Sequence, residues 1–139
     1  MNAAFFDTNI LVYAADTACP DTRKRDHARQ LMQSREITIS TQVMMEFYGV
    51  LRRKLAYGPD VATQWIETLQ DEHVVSLDAA GVVHAIKLAR RYDISHWDGL
   101  VLTATERAGL SVLYTEDLNH GQSYGSVRVC NPFIQDFLA

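Results

Sequence analysis

The feature that most constrains the fold is an alternation. Short apolar runs rich in β-branched or aromatic residues are separated by longer stretches with helical periodicity. Ala3 to Phe6, Glu36 to Ile39, His73 to Leu77, Leu110 to Tyr114 and Val127 to Cys130 read as five strands. Helices are expected over Asn9 to Ala15, Arg23 to Gln33 and Thr41 to Ala56, the last with Ser40 or Thr41 as its N-cap. Gly58-Pro59-Asp60 breaks the chain and starts another helix, to about Gln70. Asp78 caps the next, to about Tyr92. Ser95 or His96 opens one that runs through Arg107 and stops at Gly109. Pro132 begins a short C-terminal helix. Strands alternating with helices imply parallel pairing through right-handed crossovers, with helices on both faces. The expectation is a three-layer α/β/α fold around a five-stranded parallel sheet. At 139 residues it is one domain spanning 1–139.

In such sheets ligands bind beyond the carboxyl ends of the strands. Two acids fall there: Asp7 directly after Ala3 to Phe6, and Asp117 just beyond Leu110 to Tyr114. Asp7 also suits an N-cap, since a helix follows. Glu46 and Asp98 lie on helices among apolar neighbours, Val43, Phe47 and Val50 for the first, Val101 and Leu102 for the second. A carboxylate on an inward stripe is costly unless paired. For Glu46 the alternative is a salt bridge to Arg52, Arg53 or Lys54. For Asp98 it is the dipole at its helix start. For Glu116 and Asp117 it is an exposed turn with Asn119 and Gly121.

Taken together, the acids are on four elements able to converge at one sheet edge. Two carboxylates about 4 Å apart repel by about 4 kcal/mol at an effective dielectric of about 20. Four such groups need a compensating charge, or some of them must stay protonated. Hard oxygen donors without His or Cys partners favour Mg2+ or Mn2+ over zinc. The five histidines are scattered, and Cys19 and Cys130 form no metal-ligand spacing; they read as two free thiols. No phosphate loop or nucleophile elbow is present. The net charge of −4 argues against coating nucleic acid by bulk charge. Arg52, Arg53 and Lys54, beside the Glu46 helix, are candidate backbone contacts for a polyanion, whereas Arg23, Lys24, Arg25 and Arg29 read as a solvated helix face. No basic leader precedes the first apolar run and no stretch reaches the length of a membrane span, so a cytoplasmic location is expected.

Ordered blocks along the chain carry a resemblance. They are Phe5-Phe6-Asp7-Thr8-Asn9-Ile10-Leu11-Val12-Tyr13, then Ile39-Ser40-Thr41-Gln42-Val43-Met44-Met45-Glu46-Phe47, then Ile94-Ser95-His96-Trp97-Asp98-Gly99-Leu100-Val101, then Leu113-Tyr114-Thr115-Glu116-Asp117-Leu118-Asn119-His120-Gly121, and finally Val127 to Phe133. In this order they resemble the PIN-domain family, and within it the bacterial VapC-type toxins and their close relatives. The resemblance implies a five-stranded parallel sheet flanked by helices and metal-dependent cleavage of RNA. It implies metal-site acids at Asp7, Glu46, Asp98 and Asp117, and small polar positions near the metal at Thr8 or Asn9 and at Thr115. It also implies a homodimer and a small antitoxin protein as partner. Two departures stand out: Thr103 and Thr105 occupy positions where alanine is common, and Glu116 adds a fifth acid that competes with Asp117 for the fourth ligand position. A DNA or flap nuclease and a non-catalytic RNA-binding protein are the alternative readings. The Tyr48, Leu51 and Leu55 side of one helix and the Trp65, Ile66 and Leu69 stripe of the next are more apolar than one small sheet needs, which marks either core packing or a groove for a partner.

Overall fold

The computed structural model describes residues 2–134. The elements follow in the order β1 (Ala3–Phe6), α1 (Thr8–Ala15), α2 (Thr22–Ser34), β2 (Glu36–Ser40), α3 (Thr41–Arg53), α4 (Pro59–Leu69), β3 (His73–Val75), α5 (Ala79–Tyr92), α6 (His96–Arg107), β4 (Val112–Tyr114), β5 (Ser123–Tyr124) and β6 (Val127–Cys130). The sheet order is β3-β2-β1-β4-β6-β5. The first five strands in that order are mutually parallel and correspond to the five read from the sequence, although β3 stops at Val75 rather than Leu77 and β4 begins at Val112 rather than Leu110. The five-strand expectation needs one correction. A sixth strand, β5, pairs antiparallel with β6 through Ser123 with Arg128 and Tyr124 with Val127. The turn between them holds Gly125 at φ 62, a left-handed conformation that suits glycine.

Strand order reverses between β1 and β4. Right-handed crossovers therefore put α1 to α4 on one face and α5 to α6 on the other. Phe5, Phe6, Ile39, Leu113 and Val129 are fully buried between these layers. Leu51 and Leu69, read from the sequence as surplus apolar surface, are core residues. α3 stops at Arg53 rather than Ala56, because Ala56 adopts φ 58 and turns the chain toward Pro59. The helix expected from Pro132 lies largely outside the described residues; within them 132–134 form a turn and a bend.

Three local devices fix the crevice at the reversal point. The β1–β4 ladder is extended by the Asp7 amide, which donates to the Tyr114 carbonyl at 3.0 Å. The β4–β6 ladder is extended by the Thr115 amide, which donates to the Cys130 carbonyl at 3.2 Å. On the other face a Cβ added at Gly99 would collide with the carbonyl oxygen of Ala85, so glycine is needed for α6 to lie this close to α5. Asp98 is its immediate neighbour. The Thr103 and Thr105 hydroxyls, which differ from the family pattern, are fully buried and donate to the Gly99 and Val101 carbonyls at 2.8 Å. Both are thus satisfied within their own helix.

Candidate metal centre

Asp7 sits where β1 ends, at the switch point of the sheet. It is an N-cap and a site residue at once. Its Oδ1 accepts from the Thr8 amide at 2.7 Å, and its Oδ2 accepts from the Thr115 hydroxyl at 2.9 Å. Asp98, half-buried, enters from the first turn of α6, whose N-cap is Ser95. Asp117 comes from the loop after β4 and is exposed. One carboxylate oxygen from each of Asp7, Asp98 and Asp117 lies within 4.8 Å of the others.

Glu46 stands beside this triad and not in it. Its Oε2 accepts from the Thr8 hydroxyl at 3.0 Å and its Oε1 from the Gln42 amide at 2.9 Å. The sequence alternative of an ion pair with Arg52, Arg53 or Lys54 does not form. Glu46 is near enough to Asp98 for its charge to raise the Asp98 pKa.

Glu116, the competitor for the fourth position, is engaged elsewhere. Its Oε1 accepts from the Tyr13 hydroxyl at 2.7 Å, and its Oε2 pairs with Lys24 at 3.2 Å. Lys24 therefore belongs to a structured cluster, contrary to the solvated face expected of it. Asn9 and Thr115 act as braces. The Asn9 side-chain amide donates to both Thr115 Oγ1 (3.1 Å) and Asp117 Oδ2 (3.0 Å), while the Asp117 backbone amide donates to Thr115 Oγ1 at 3.1 Å. Gln42 and Ser95 also contact or flank the acids. The sequence offered Ser95 only as a helix cap and gave no signal for Gln42.

The electrostatics disfavour ionising all three carboxylates at once. Burial pushes the Asp7 carboxyl up to about 7; hydrogen bonds from Thr115 and Thr8 lower it, and the charges of Asp117 and Asp98 raise it further. Burial also raises Asp98, against a lowering contribution from Ser95, with Asp117 and Glu46 adding to the rise. Among the described residues none of Asp7, Glu46, Asp98 and Asp117 has a Lys, Arg or His at ion-pair distance. Three converging carboxylates with no cation of their own fit a divalent ion that prefers oxygen ligands.

A cavity of about 290 Å3 opens next to the triad, between α1, α3 and the loop after β4. Thr8, Asn9, Glu116, Asp117 and Lys54 are among its lining residues. Lys54 is the only member of the candidate basic trio that lines it. Arg52 donates to the Tyr57 carbonyl at 2.9 Å, and the Arg53 guanidinium lies over Gly49. A second cavity, about 420 Å3 and almost wholly apolar, runs between α3 and α4 and is lined by Met44, Met45, Tyr48 and Ile66. Tyr48 and Ile66 are thus groove residues, whereas their neighbours Leu51 and Leu69 are core.

Comparison with known proteins bears on the fold. Among curated protein sequences none matches the chain. Solved structures do. A toxin–antitoxin complex from Klebsiella pneumoniae is 18% identical with a TM-score of 0.71, covering 94% of this chain and 98% of the other. VapC20 of Mycobacterium tuberculosis, a sarcin-ricin loop cleaving toxin, is 17% identical with a TM-score of 0.68, covering 83% and 92%. FitAcB from Neisseria gonorrhoeae is 17% identical with a TM-score of 0.63, covering 94% and 99%. At such identities the likeness concerns the fold. The PIN domain family model, however, matches residues 4–123, which includes all four acids, and the chain belongs to the PIN-domain family.

Proposed function

We propose that the chain is a Mg2+- or Mn2+-dependent endoribonuclease that hydrolyses RNA phosphodiester bonds, and that it is the toxin of a toxin–antitoxin pair. The observation that carries the nuclease reading is the convergence of Asp7, Asp98 and Asp117, without any cationic partner, at the switch point of a PIN fold. These three residues would hold the ion. A divalent cation bound there supplies the positive charge that lowers the pKa of an attacking water and offsets charge on the phosphate and the leaving oxygen.

The chain's own residues have distinct tasks. Asp7 is held rigidly by Thr8 and Thr115, so its carboxylate is pre-positioned. Asn9 orients Asp117. Glu46, tied to Thr8 but outside the triad, is suited to act through water and to accept a proton. Lys54, which lines the adjoining cavity, would meet the RNA backbone.

The toxin role rests on the family and on what its structural neighbours are called. An apolar helix of a small antitoxin fits the α3–α4 groove, where Met45 is 71% exposed. A basic side chain reaching from it into the acidic centre would replace the cation's charge, which gives inhibition a physical cause. A homodimer is the second part of this reading. Val82, Val83 and Ile86 on α5 are exposed and offer an apolar face to a second copy.

The test is incubation of the purified chain with single-stranded RNA and single-stranded DNA, with Mg2+, Mn2+ or EDTA. Cleavage of RNA only in the presence of metal is expected. Equal cleavage in EDTA, or none under any condition, would remove the reading. Light scattering reports the dimer, and co-purification with the product of an adjacent upstream gene reports the antitoxin.

A further inference from the structure

The cavity beside the acids has a composition that metal chemistry does not require. α1 contributes Val12, Tyr13 and Asp16, and α3 contributes Val50 and Lys54. Asp16 is the residue that ends α1. Val12 and Val50 supply apolar walls between the two helices. Tyr13 is immobilised: its hydroxyl lies between Glu116 and Lys24, its ring packs edge-on to Phe133 at 4.9 Å, and the Lys24 ammonium sits 5.0 Å from its centroid. The Asp16 Oδ1 accepts from the Ala18 amide at 3.1 Å, which fixes the carboxylate, and Oδ2 has no hydrogen-bond partner among the described residues. Lys54 makes no ion pair among the described residues.

We infer that this cavity is a nucleotide subsite: the base next to the cleaved bond lies between Val12 and Val50, Lys54 takes the neighbouring phosphate, and Asp16 reads the base's pairing edge. The inference rests on the ribonuclease reading and adds a base preference to it. The site is continuous with the triad through Asp117, so a strand whose phosphate meets the acids enters it with its next residue. An ionised carboxylate accepts hydrogen bonds and donates none. It therefore favours bases whose pairing edge carries N–H donors. Guanine, with two donors side by side, matches a carboxylate best, and uracil, with a single N–H between two carbonyls, matches poorly. Single-stranded RNA exposes that edge, whereas a duplex hides it.

The experiment measures binding in EDTA, where no cleavage occurs, using fluorescent 10-mer oligouridylates carrying one central G, A, C or U, alongside cleavage of the same set with Mn2+. G is expected to bind tightest, about tenfold over U. Asp16→Asn should compress that preference to within about twofold, since one acceptor becomes a donor. Lys54→Met should weaken all four equally and reduce the slope of log K against log salt by about 0.7. Val50→Trp should fill the cavity and cost binding of every oligonucleotide, with the metal-induced rise in melting temperature intact. Base-independent binding by the parent, or an unchanged preference in Asp16→Asn together with an unchanged salt slope in Lys54→Met, would overturn the subsite. Base-dependent binding without cleavage in Mn2+ would instead overturn the ribonuclease reading and leave the subsite standing.

Discussion

The two ends of the sheet each gather acidic residues around a cavity, and they differ in how those residues are held. At the amino ends of the strands, Glu36, Asp71, Glu72 and His73 line a cavity of about 440 Å3. All four are exposed, and water screens their charges from one another. At the carboxyl ends, Asp7 is 6% exposed, and its carboxylate converges with those of Asp98 and Asp117. The number of acids is similar at both ends. What separates them is convergence and desolvation: among the described residues only the carboxyl-end acids bring three carboxylate oxygens within 4.8 Å of one another, and only there is one of them buried, so their repulsion must be met by a counter-ion or a proton. A count of acidic residues therefore does not single out a candidate site in this fold, whereas a converging group with a buried carboxylate does.

The largest expected effect sharpens that contrast. Asp7→Asn and Asp98→Asn should each lower RNA cleavage by at least about a hundredfold, more than loss of an outer-shell partner usually costs, while Glu36→Gln and Glu72→Gln leave it unchanged. The Asn variants keep the shape and remove the charge that the ion needs, so in EDTA above pH 7 they should melt at or above the parent temperature. Circular dichroism melts and single-turnover cleavage check both statements. Full activity in both Asn variants would break the comparison.

The next effect is in pH. Asp7 has a folded-state pKa of about 7 against an ordinary value of 3.8, so the folded chain keeps a proton that the unfolded chain has lost. Without metal, this group's contribution to stability is fully present below about pH 4 and is lost as pH rises through about 7. Metal binding requires the ionised form. Its affinity should climb with pH up to about 7, with more protons released per ion bound at pH 6 than at pH 8. Calorimetry in buffers of different ionisation enthalpy reads that release directly. Affinity independent of pH across 5.5 to 8 would contradict the assignment of Asp7.

A smaller effect is expected behind the triad. Thr115→Val removes the hydroxyl that donates to Asp7 and accepts from Asn9 and the Asp117 amide. Metal affinity should fall by about 10- to 100-fold, as is usual when an outer-shell partner is lost. Smallest of all, the exposed acids at the amino end should change stability by no more than about 0.5 kcal/mol when made neutral.

What could be read from the sequence follows from sequence distance. Asp7 is legible because an acid straight after an apolar strand breaks the local pattern; Asp117 is legible only as one of two adjacent acids just beyond a strand, with Glu116 its rival. Asp98 and Glu46 were legible as acids among apolar helical neighbours, but periodicity alone cannot tell ligand from neighbour. Glu46 stands beside the triad, its oxygens hydrogen-bonded to Thr8, 38 residues away, and to Gln42. Lys24 looked like part of a solvated basic face because its partner Glu116 lies 92 residues further on. β5 was missed for the same reason. Two residues, Ser123 and Tyr124, carry no period of their own and are a strand only through pairing with β6. Gly99 belongs to a sequence motif, yet the close approach of α6 to α5 that requires it appears only in the packed structure.

The central claim is that Asp7, Asp98 and Asp117 together hold a divalent ion. Calorimetric titration of Mn2+ into the parent chain and into Asp98→Asn at pH 7.5 tests it most directly. Saturable binding by the parent at or below millimolar Mn2+, lost in the variant, is the predicted result. No binding by the parent, or the same isotherm for both proteins, would contradict it.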